Sequence, residues 1–194
     1  MKHPQLAQPA QPASASAPTS TAGAAPAHAS AAQASATSAE LADVPRMGRG
    51  FVWQELHVGQ RLRTFRRTIT EADLVGFINA TGMLEAIFLD ATFEGAAMRG
   101  RPVPGALTYT FIEGFILQSM IQGTGLAMLE LHQTMLAPVC VGDTIEALVT
   151  VTGIRPTSQS GRAVVTSQIE VFNQLGTPVM RYEAKRLLAG AGQT

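Results

Sequence analysis

The feature that most constrains the fold is an apolar segment at residues 106–123, with the sequence ALTYTFIEGFILQSMIQG. Its large apolar side chains recur at spacings near three and four residues, which predicts an α-helix. Glu113 and Gln118 are its few strongly polar interruptions. Because the helix is apolar on nearly all sides, it should be buried rather than lie on a surface. A buried helix needs a second layer of structure to enclose it, and the rest of the chain must supply that layer.

The second half of the chain predicts that layer as a β-sheet. β-branched and aromatic residues recur with a period near two in four stretches separated by turn signals, namely residues 129–138, 143–154, 162–173 and 178–188. A further short strand is predicted over residues 61–69. Since the four stretches follow one another directly, we expect an antiparallel meander.

A short helix is predicted between the first strand and the apolar helix. Thr70 is placed to cap its N-terminus, with Asp73 three positions later as in a capping box. Apolar residues follow at helical spacing, and Gly82 marks the end. The predicted fold class is therefore α+β, with an antiparallel sheet wrapped around one long buried helix, as in the hotdog fold. The exposed edges of such a sheet favour pairing with a second copy, so we expect a homodimer.

The composition changes sharply near residue 44. Residues 1–44 contain 16 Ala, 6 Ser and 5 Pro and no aromatic residue, so they cannot bury enough apolar surface to offset the entropy of ordering them. We predict a disordered tail over 1–44 and a hotdog domain over 45–194. The tail has neither the apolar core of a secretory signal nor the arginines of a transit peptide. These features, with no apolar run long enough to span a membrane, predict a cytoplasmic chain.

Charge and cysteine content exclude several classes of function. The chain has 14 basic and 14 acidic residues, which argues against a nucleic-acid partner because phosphate binding needs a clustered basic surplus. Cys140 is the single cysteine, so there is no intrachain disulfide, and we expect it to act as a small buried apolar residue. No Cys/His cluster has metal-site spacing. We expect neither a metal nor a cofactor.

Several segments in order resemble the MaoC-like dehydratases, also called R-specific enoyl-CoA hydratases. They are FRRTITEADLVGFINATG at 65–82, LDATF at 89–93, the Pro104-Gly105 pair and APVCVGDTI at 137–145. The resemblance covers roughly residues 58–189 and implies a hotdog fold that binds an acyl thioester of coenzyme A or of an acyl carrier protein. It also implies that the N–H groups of Gly105 and Ala106, at a helix N-terminus, bind the thioester oxygen.

The catalytic motif of that family is replaced in this chain. Family members carry Asp-x-Asn-Pro-x-His directly after a Thr-Gly pair, and the carboxylate and imidazole act on one water molecule. Aligning Thr81-Gly82 with that pair places Met83 at the Asp position and Phe88 at the His position. Neither side chain can transfer a proton.

Other acidic residues near this motif are candidates for relocated chemistry. Glu85 lies two positions after Met83 and is the candidate catalytic residue, the alternative being a solvated loop carboxylate. Asp90 matches a frequent Asp of the family pattern and is a candidate substrate-binding residue. Asp90 and Glu94 are otherwise interpreted as helix-capping carboxylates.

Further candidates lie on the predicted helix and sheet. Glu113 would be costly to bury unpaired and is a candidate thioesterase carboxylate, the alternative being a polar stripe at a dimer interface or toward solvent. His132 is interpreted as a structural residue or as a partner for Glu85, and Tyr109 as a core residue or a ligand donor. Four basic residues are candidates for coenzyme A phosphates, or for simple surface solvation: Arg99, Arg101, Lys185 and Arg186.

The sequence thus leaves three hypotheses of function open. The chain is a hydratase or dehydratase that uses a relocated group such as Glu85, a non-catalytic acyl-thioester-binding or structural subunit, or a thioesterase that uses Glu113.

Overall fold

A computed structural model describes residues 47–95, 100–158 and 161–192. The predicted tail at 1–44 lies outside the described residues, as does Arg99. Within them, the strands are β1 (Arg61–Arg63), β2 (Arg67–Thr68), β3 (Gly125–Met135), β4 (Thr144–Pro156), β5 (Arg162–Phe172) and β6 (Pro178–Ala189). The α-helices are α1 (Glu71–Thr81), α2 (Ala86–Leu89) and α3 (Gly105–Ser119), preceded by a 3-10 turn at Trp53–Glu55.

Helix α1 begins where the sequence predicts. The Thr70 hydroxyl accepts a hydrogen bond from the Asp73 N–H at 3.2 Å, and the Asp73 carboxylate accepts one from the Thr70 N–H at 2.9 Å. Burial raises the pKa of Asp73, but the hydrogen bonds from Thr70 and the charge of Arg67 outweigh it, so this pKa lies below its usual value. Gly82 ends the helix at a φ of 72°, a left-handed conformation that favours glycine.

The antiparallel sheet has the strand order β1-β4-β5-β6-β3, with β2 also paired to β4. Strands β4, β5 and β6 form the predicted meander, but β3 pairs with β6 rather than with β4. The segment at 61–69 is likewise two short strands rather than one. The interruption is at Thr64. In a continuous strand pair the Ala147 N–H would donate to a backbone carbonyl, but here it donates to the side-chain hydroxyl of Thr64.

Helix α3 packs against one face of the sheet, which confirms the predicted hotdog arrangement. Its buried face carries Leu107, Ile112 and Ile116. These residues share one core with alternate residues of the sheet, among them Ile145, Val149, Ile169, Val171, Met180, Tyr182 and Leu188. The opposite side of α3 is open to solvent at Leu117, which is 51% exposed.

Strand β3 is an edge strand that is open on both faces. All eleven of its residues are exposed, and among the described residues no strand pairs with its outer side. An edge strand with unpaired backbone groups is a ready template for another chain. In the part of the chain that the structure describes, no helix is long and apolar enough to cross a membrane.

Candidate functional site

A cavity of about 320 Å³ opens beside the N-terminus of α3. Helix α3 contributes Gly105 and Thr108, and the end of β3 with the segment after it contributes Met135, Ala137 and Val139. Its walls are largely apolar, and no acidic, basic or histidine side chain of the described residues lines it. The cavity can therefore hold an apolar chain but offers no proton-transfer group of its own.

The N-terminus of α3 offers unpaired backbone donors at this cavity. Pro104 is the N-cap residue and supplies no side-chain cap. The first helical N–H group with an acceptor is that of Leu107, which donates to the Pro104 carbonyl at 2.9 Å. The N–H groups of Gly105 and Ala106 precede it, at the positive end of the helix dipole. This arrangement suits an oxygen that carries partial negative charge.

Met135 closely approaches this helix terminus. A Cβ atom built on Gly105 would lie 2.6 Å from Met135 Cε. Glycine at this position therefore leaves room for the thioether side chain of a residue that is 48% exposed. Because methionine is unbranched and flexible, it can move without a large change in the strand.

The segment after α1 does not contribute to this cavity. Met83 is 41% exposed, and Phe88 packs partly buried against the hydrophobic core. Glu85 is the N-cap residue of α2, is exposed, and makes no side-chain capping hydrogen bond. None of these three residues lines the cavity beside Gly105.

Asp90 uses its carboxylate within its own turn. Its Oδ1 accepts hydrogen bonds from the Thr92 N–H at 2.8 Å and the Thr92 hydroxyl at 2.7 Å. These two hydrogen bonds lower the pKa of Asp90. The geometry is that of a turn-forming Asp, and Glu94 nearby is exposed.

Glu113 lies in a buried polar cluster between α3 and β6. It is 8% exposed, and its Oε1 accepts hydrogen bonds from the Tyr182 hydroxyl at 2.7 Å and from Arg186 Nη2 at 2.5 Å. Burial, followed by the charge of Glu113, raises the pKa of Tyr182 above its usual range, so the phenol remains a hydrogen-bond donor. The interpretation of Glu113 as solvent-facing is wrong. Buried carboxylates need a partner, and Arg186 provides it.

The sequence predicts Arg186 as a ligand of coenzyme A phosphates or as a solvated surface residue, but the structure buries it to 4% exposure against Glu113. The sequence of β6 explains the burial of Arg186. Residues at every second position of a strand share one face. The residues that share a face with Arg186 are all buried: Met180, Tyr182, Ala184 and Leu188. An arginine in such a row requires a buried acid, and Glu113 in the apolar helix is its match.

A second groove, of about 360 Å³, adjoins this cluster. It is lined by Tyr109, Glu113 and Arg186 and by apolar residues of α3 and β3, including Leu117, Leu126 and Met128. Tyr109 stacks edge to face on Tyr182 with ring centroids 5.4 Å apart. Its burial, and then the Glu113 charge, raise the pKa of Tyr109.

The remaining candidate residues form surface contacts. His132 is on β3, with a side chain that is 76% exposed and Nε2 3.8 Å from a Glu130 carboxylate oxygen. Lys185 also pairs with Glu130, at 2.7 Å. Arg101 pairs with Glu71 at 2.7 Å. Cys140 is half-buried, and burial raises the pKa of its thiol. Among the described residues no group of three or more His, Cys, Asp or Glu could hold a metal ion.

Comparisons with known proteins decide the family. The sequence profile of the FAS1-like family, dehydratase domain region, matches residues 56–182. The chain belongs to this dehydratase family. A search of curated proteins finds no match.

Solved structures of a MaoC-like dehydratase, an R-hydratase and a double-hotdog protein share the fold. A MaoC-like dehydratase from Rhodospirillum rubrum aligns with a TM-score of 0.66 at 23% identity, over 73% of this chain and 98% of that one. The R-hydratase PhaJ1 from Pseudomonas aeruginosa aligns with a TM-score of 0.59 at 26% identity, over 73% and 86%. A Mycobacterium tuberculosis protein with a double hotdog fold aligns with a TM-score of 0.67 at 17% identity, over 77% of this chain and 47% of that one. The fold of this dehydratase-family chain is therefore a MaoC-like hotdog.

Two polar groups of this dehydratase-family domain are not among the residues predicted from the sequence. The first is Tyr182, which completes the Glu113–Arg186 cluster. The second is the hydroxyl of Thr108, which is 1% exposed and has no hydrogen-bond partner. The alternation of β6 places Tyr182 inward, but no sequence pattern shows whether a hydroxyl inside a helix has a partner.

Proposed function

We propose that this domain binds acyl thioesters and does not hydrate them through the residue pair that its family resemblance implies. The observation that carries the proposal is the cavity beside α3, which has apolar walls and is lined by Gly105 at the helix N-terminus, where the N–H groups of Gly105 and Ala106 have no intrahelical acceptor. The two amides would bind the thioester oxygen, and the walls would bury the acyl chain. The carrier would be coenzyme A or an acyl carrier protein.

The chemistry of the neighbouring side chains supports binding without hydration. Adding water across a double bond requires a base that takes a proton from water and an acid that returns one to carbon. The resemblance places Met83 and Phe88 at those two positions, and neither titrates. Glu85 is exposed and lies apart from the cavity lining.

Titration with hexanoyl-CoA and trans-2-hexenoyl-CoA tests this proposal. Calorimetry should show saturable binding of both ligands, while the absorbance of the conjugated enoyl thioester stays constant over hours. The Glu85→Gln variant should behave as the wild type does. Hydration by the wild-type protein would refute the non-catalytic assignment, and the lack of binding by either ligand would refute the acyl-thioester assignment.

A second candidate function rests on Glu113. Both hydrogen bonds to its carboxylate fall on Oε1, and Glu113 lines the second groove. A carboxylate held by one oxygen can use the other to activate water, as a thioesterase base would. Release of free thiol from hexanoyl-CoA by the wild type, abolished in Glu113→Gln, would favour this function over binding alone.

We also propose that the domain works as a homodimer joined through β3. The exposed large apolar residues concentrate on this edge strand and beside it: Leu126, Met128, Leu129, Leu131, Met135 and Leu136. Leu117 on the open side of α3 lines the same groove as Leu126 and Met128. Contiguous exposed apolar surface of this kind marks a protein interface.

Replacing Leu131 with lysine should separate the dimer. Sedimentation equilibrium should give the wild type about twice the 20.4 kDa chain mass, whereas Leu131→Lys should be monomeric at micromolar concentration, because an unpaired charge would be buried in the interface. Leu175→Lys is the matched control, since Leu175 is 81% exposed in the turn between β5 and β6 and belongs to neither β3 nor the groove beside it. A monomeric wild type, or equal effects of the two lysines, would contradict the β3 interface.

A further inference from the structure

Two buried side chains of opposite charge line the second groove, between α3 and β3. They are Glu113 and Arg186, whose side chains are only 10% and 5% exposed. Tyr109, four residues before Glu113 on α3, lines the groove as well. The other residues that line it are apolar or glycine. Apolar walls with a few fixed polar groups are typical of small-molecule sites in proteins.

The charged pair keeps unused hydrogen-bonding capacity. Both hydrogen bonds to Glu113 fall on Oε1, and Oε2 accepts none from the described residues. Arg186 donates to Glu113 through Nη2, and its Nη1 has no acceptor among the described residues. The fold seals the unpartnered Nε of Arg186 from solvent, but it does not seal Oε2 or Nη1 in this way. Since both residues line the groove, a molecule bound there meets an open acceptor and an open donor.

The charges of the pair restrict which molecules can bind. The carboxylate and the guanidinium neutralise one another at 2.5 Å. Glu113 would repel an anion in the groove and Arg186 would repel a cation, and either ion would lose its hydration on burial. A neutral group that both donates and accepts avoids these penalties. A carboxamide is such a group, because its N–H can donate to a carboxylate while its oxygen accepts from a guanidinium.

The open polar atoms also argue against a second copy of the chain as the occupant. The exposed edge that a second copy would bring to this surface is rich in large apolar side chains, among them Leu129 and Leu131. Packing such side chains into the groove would seal Glu113 Oε2 and Arg186 Nη1 without hydrogen-bond partners, which is unfavourable. A small molecule with a polar group can satisfy both atoms.

We propose that the second groove binds a neutral amphipathic molecule through a carboxamide that donates to Glu113 Oε2 and accepts from Arg186 Nη1. Its alkyl part would pack on the apolar side chains of the groove, such as Leu117 and Met128. The groove shares no lining residue with the cavity beside Gly105. The inference therefore does not rest on the acyl-thioester binding proposed for that cavity.

Titration with three probes of equal chain length, followed by NMR, tests this inference. The probes are hexanamide, hexanoate and hexylammonium at pH 7. The wild type should bind hexanamide at least tenfold more tightly than either ion. Ala127→Phe, which fills the groove, should abolish hexanamide binding. Ala137→Phe, which fills the cavity beside Gly105, is the matched control and should leave the affinity for hexanamide within threefold of that of the wild type.

Variants of the charged pair test the recognition itself. Glu113→Gln keeps the shape and removes the negative charge, so Arg186 is left uncompensated and the preference should move from hexanamide to hexanoate. The double variant Glu113→Leu with Arg186→Met should fold, because apolar side chains of similar size replace the whole pair. It should bind hexanamide about tenfold more weakly than the wild type does. A groove that binds by apolar contact alone would show no such loss.

Several results would overturn the site. The wild type might bind none of the probes, or bind one of the ions as tightly as hexanamide, and the double variant might keep the full affinity for hexanamide. Binding that is lost in Ala137→Phe and kept in Ala127→Phe would place hexanamide beside Gly105 instead. Binding confined to the Leu131→Lys variant would show that a second copy fills the groove. Titration with hexanoyl-CoA is a separate measurement, so none of these results decides the acyl-thioester proposal.

Discussion

Replacing Arg186 with methionine should destabilise the domain by about 3–5 kcal/mol, because it leaves the Glu113 carboxylate buried without its counter-charge. Arg186 and Glu113 have side chains only 5% and 10% exposed, and they are joined at 2.5 Å. Tyr182 alone would remain to hydrogen-bond the carboxylate. Urea unfolding, followed by the fluorescence of the single tryptophan Trp53, measures the loss.

The same strand provides the control for this prediction. Arg181 pairs with Glu170 at 2.8 Å, but their side chains are 49% and 33% exposed. Arg181→Met should lower the free energy of unfolding by less than about 1 kcal/mol, because an exposed ion pair contributes little to stability. A loss in Arg186→Met no greater than that in Arg181→Met would contradict the structural role of the buried pair.

Removing both charges together should recover most of the lost stability. The double variant Glu113→Leu with Arg186→Met replaces the pair by apolar side chains of similar size, and such replacements are often neutral or stabilising. The coupling between the two single changes should therefore be large. Glu113 and Arg186 also both line the second groove, so their charges are placed to act on a molecule bound there.

The local structure of this chain was predictable because it depends on neighbours in sequence. Three such features are properties of a short segment: the capping of α1 by Thr70 and Asp73, the helical spacing of α3, and the alternation in β4, β5 and β6. The pairing of β3 does not depend on a short segment. Strand pairing is chosen by the whole sheet around α3, and β3 crosses to the far edge beside β6 although β4 follows it in sequence.

The candidate site divides in the same way. Residue identity alone shows that α3 begins at Gly105 and that the side chains of Met83 and Phe88 do not titrate. The burial of Arg186 can be inferred from the alternation of buried and exposed residues in β6. The unpartnered hydroxyl of Thr108 could not, because hydrogen-bond satisfaction depends on atoms that are distant in sequence.

Filling the cavity beside Gly105 should abolish acyl-thioester binding. Ala137 lines that cavity and is half-buried, so Ala137→Phe would place an aromatic ring where the acyl chain is proposed to lie. Each methylene group that loses its buried site weakens binding by about 0.8 kcal/mol. Excluding four of them from hexanoyl-CoA corresponds to an affinity loss of more than about a hundredfold. Calorimetry measures the loss, and urea unfolding checks that the domain is still folded.

The control places the same ring in the other groove. Ala127 lines the groove beside Glu113 and Arg186 and is exposed on β3. Met135→Ala, which removes the side chain against Gly105, should enlarge the cavity and favour longer acyl chains.

If the acyl chain occupies the Gly105 cavity, Ala127→Phe should bind hexanoyl-CoA with an affinity within threefold of that of the wild type. The reverse pattern, with binding lost in Ala127→Phe and kept in Ala137→Phe, would place the acyl chain beside Glu113. In that event the carboxylate, rather than the helix terminus, would be the centre of the site, and hydrolysis would replace simple binding as the function to pursue.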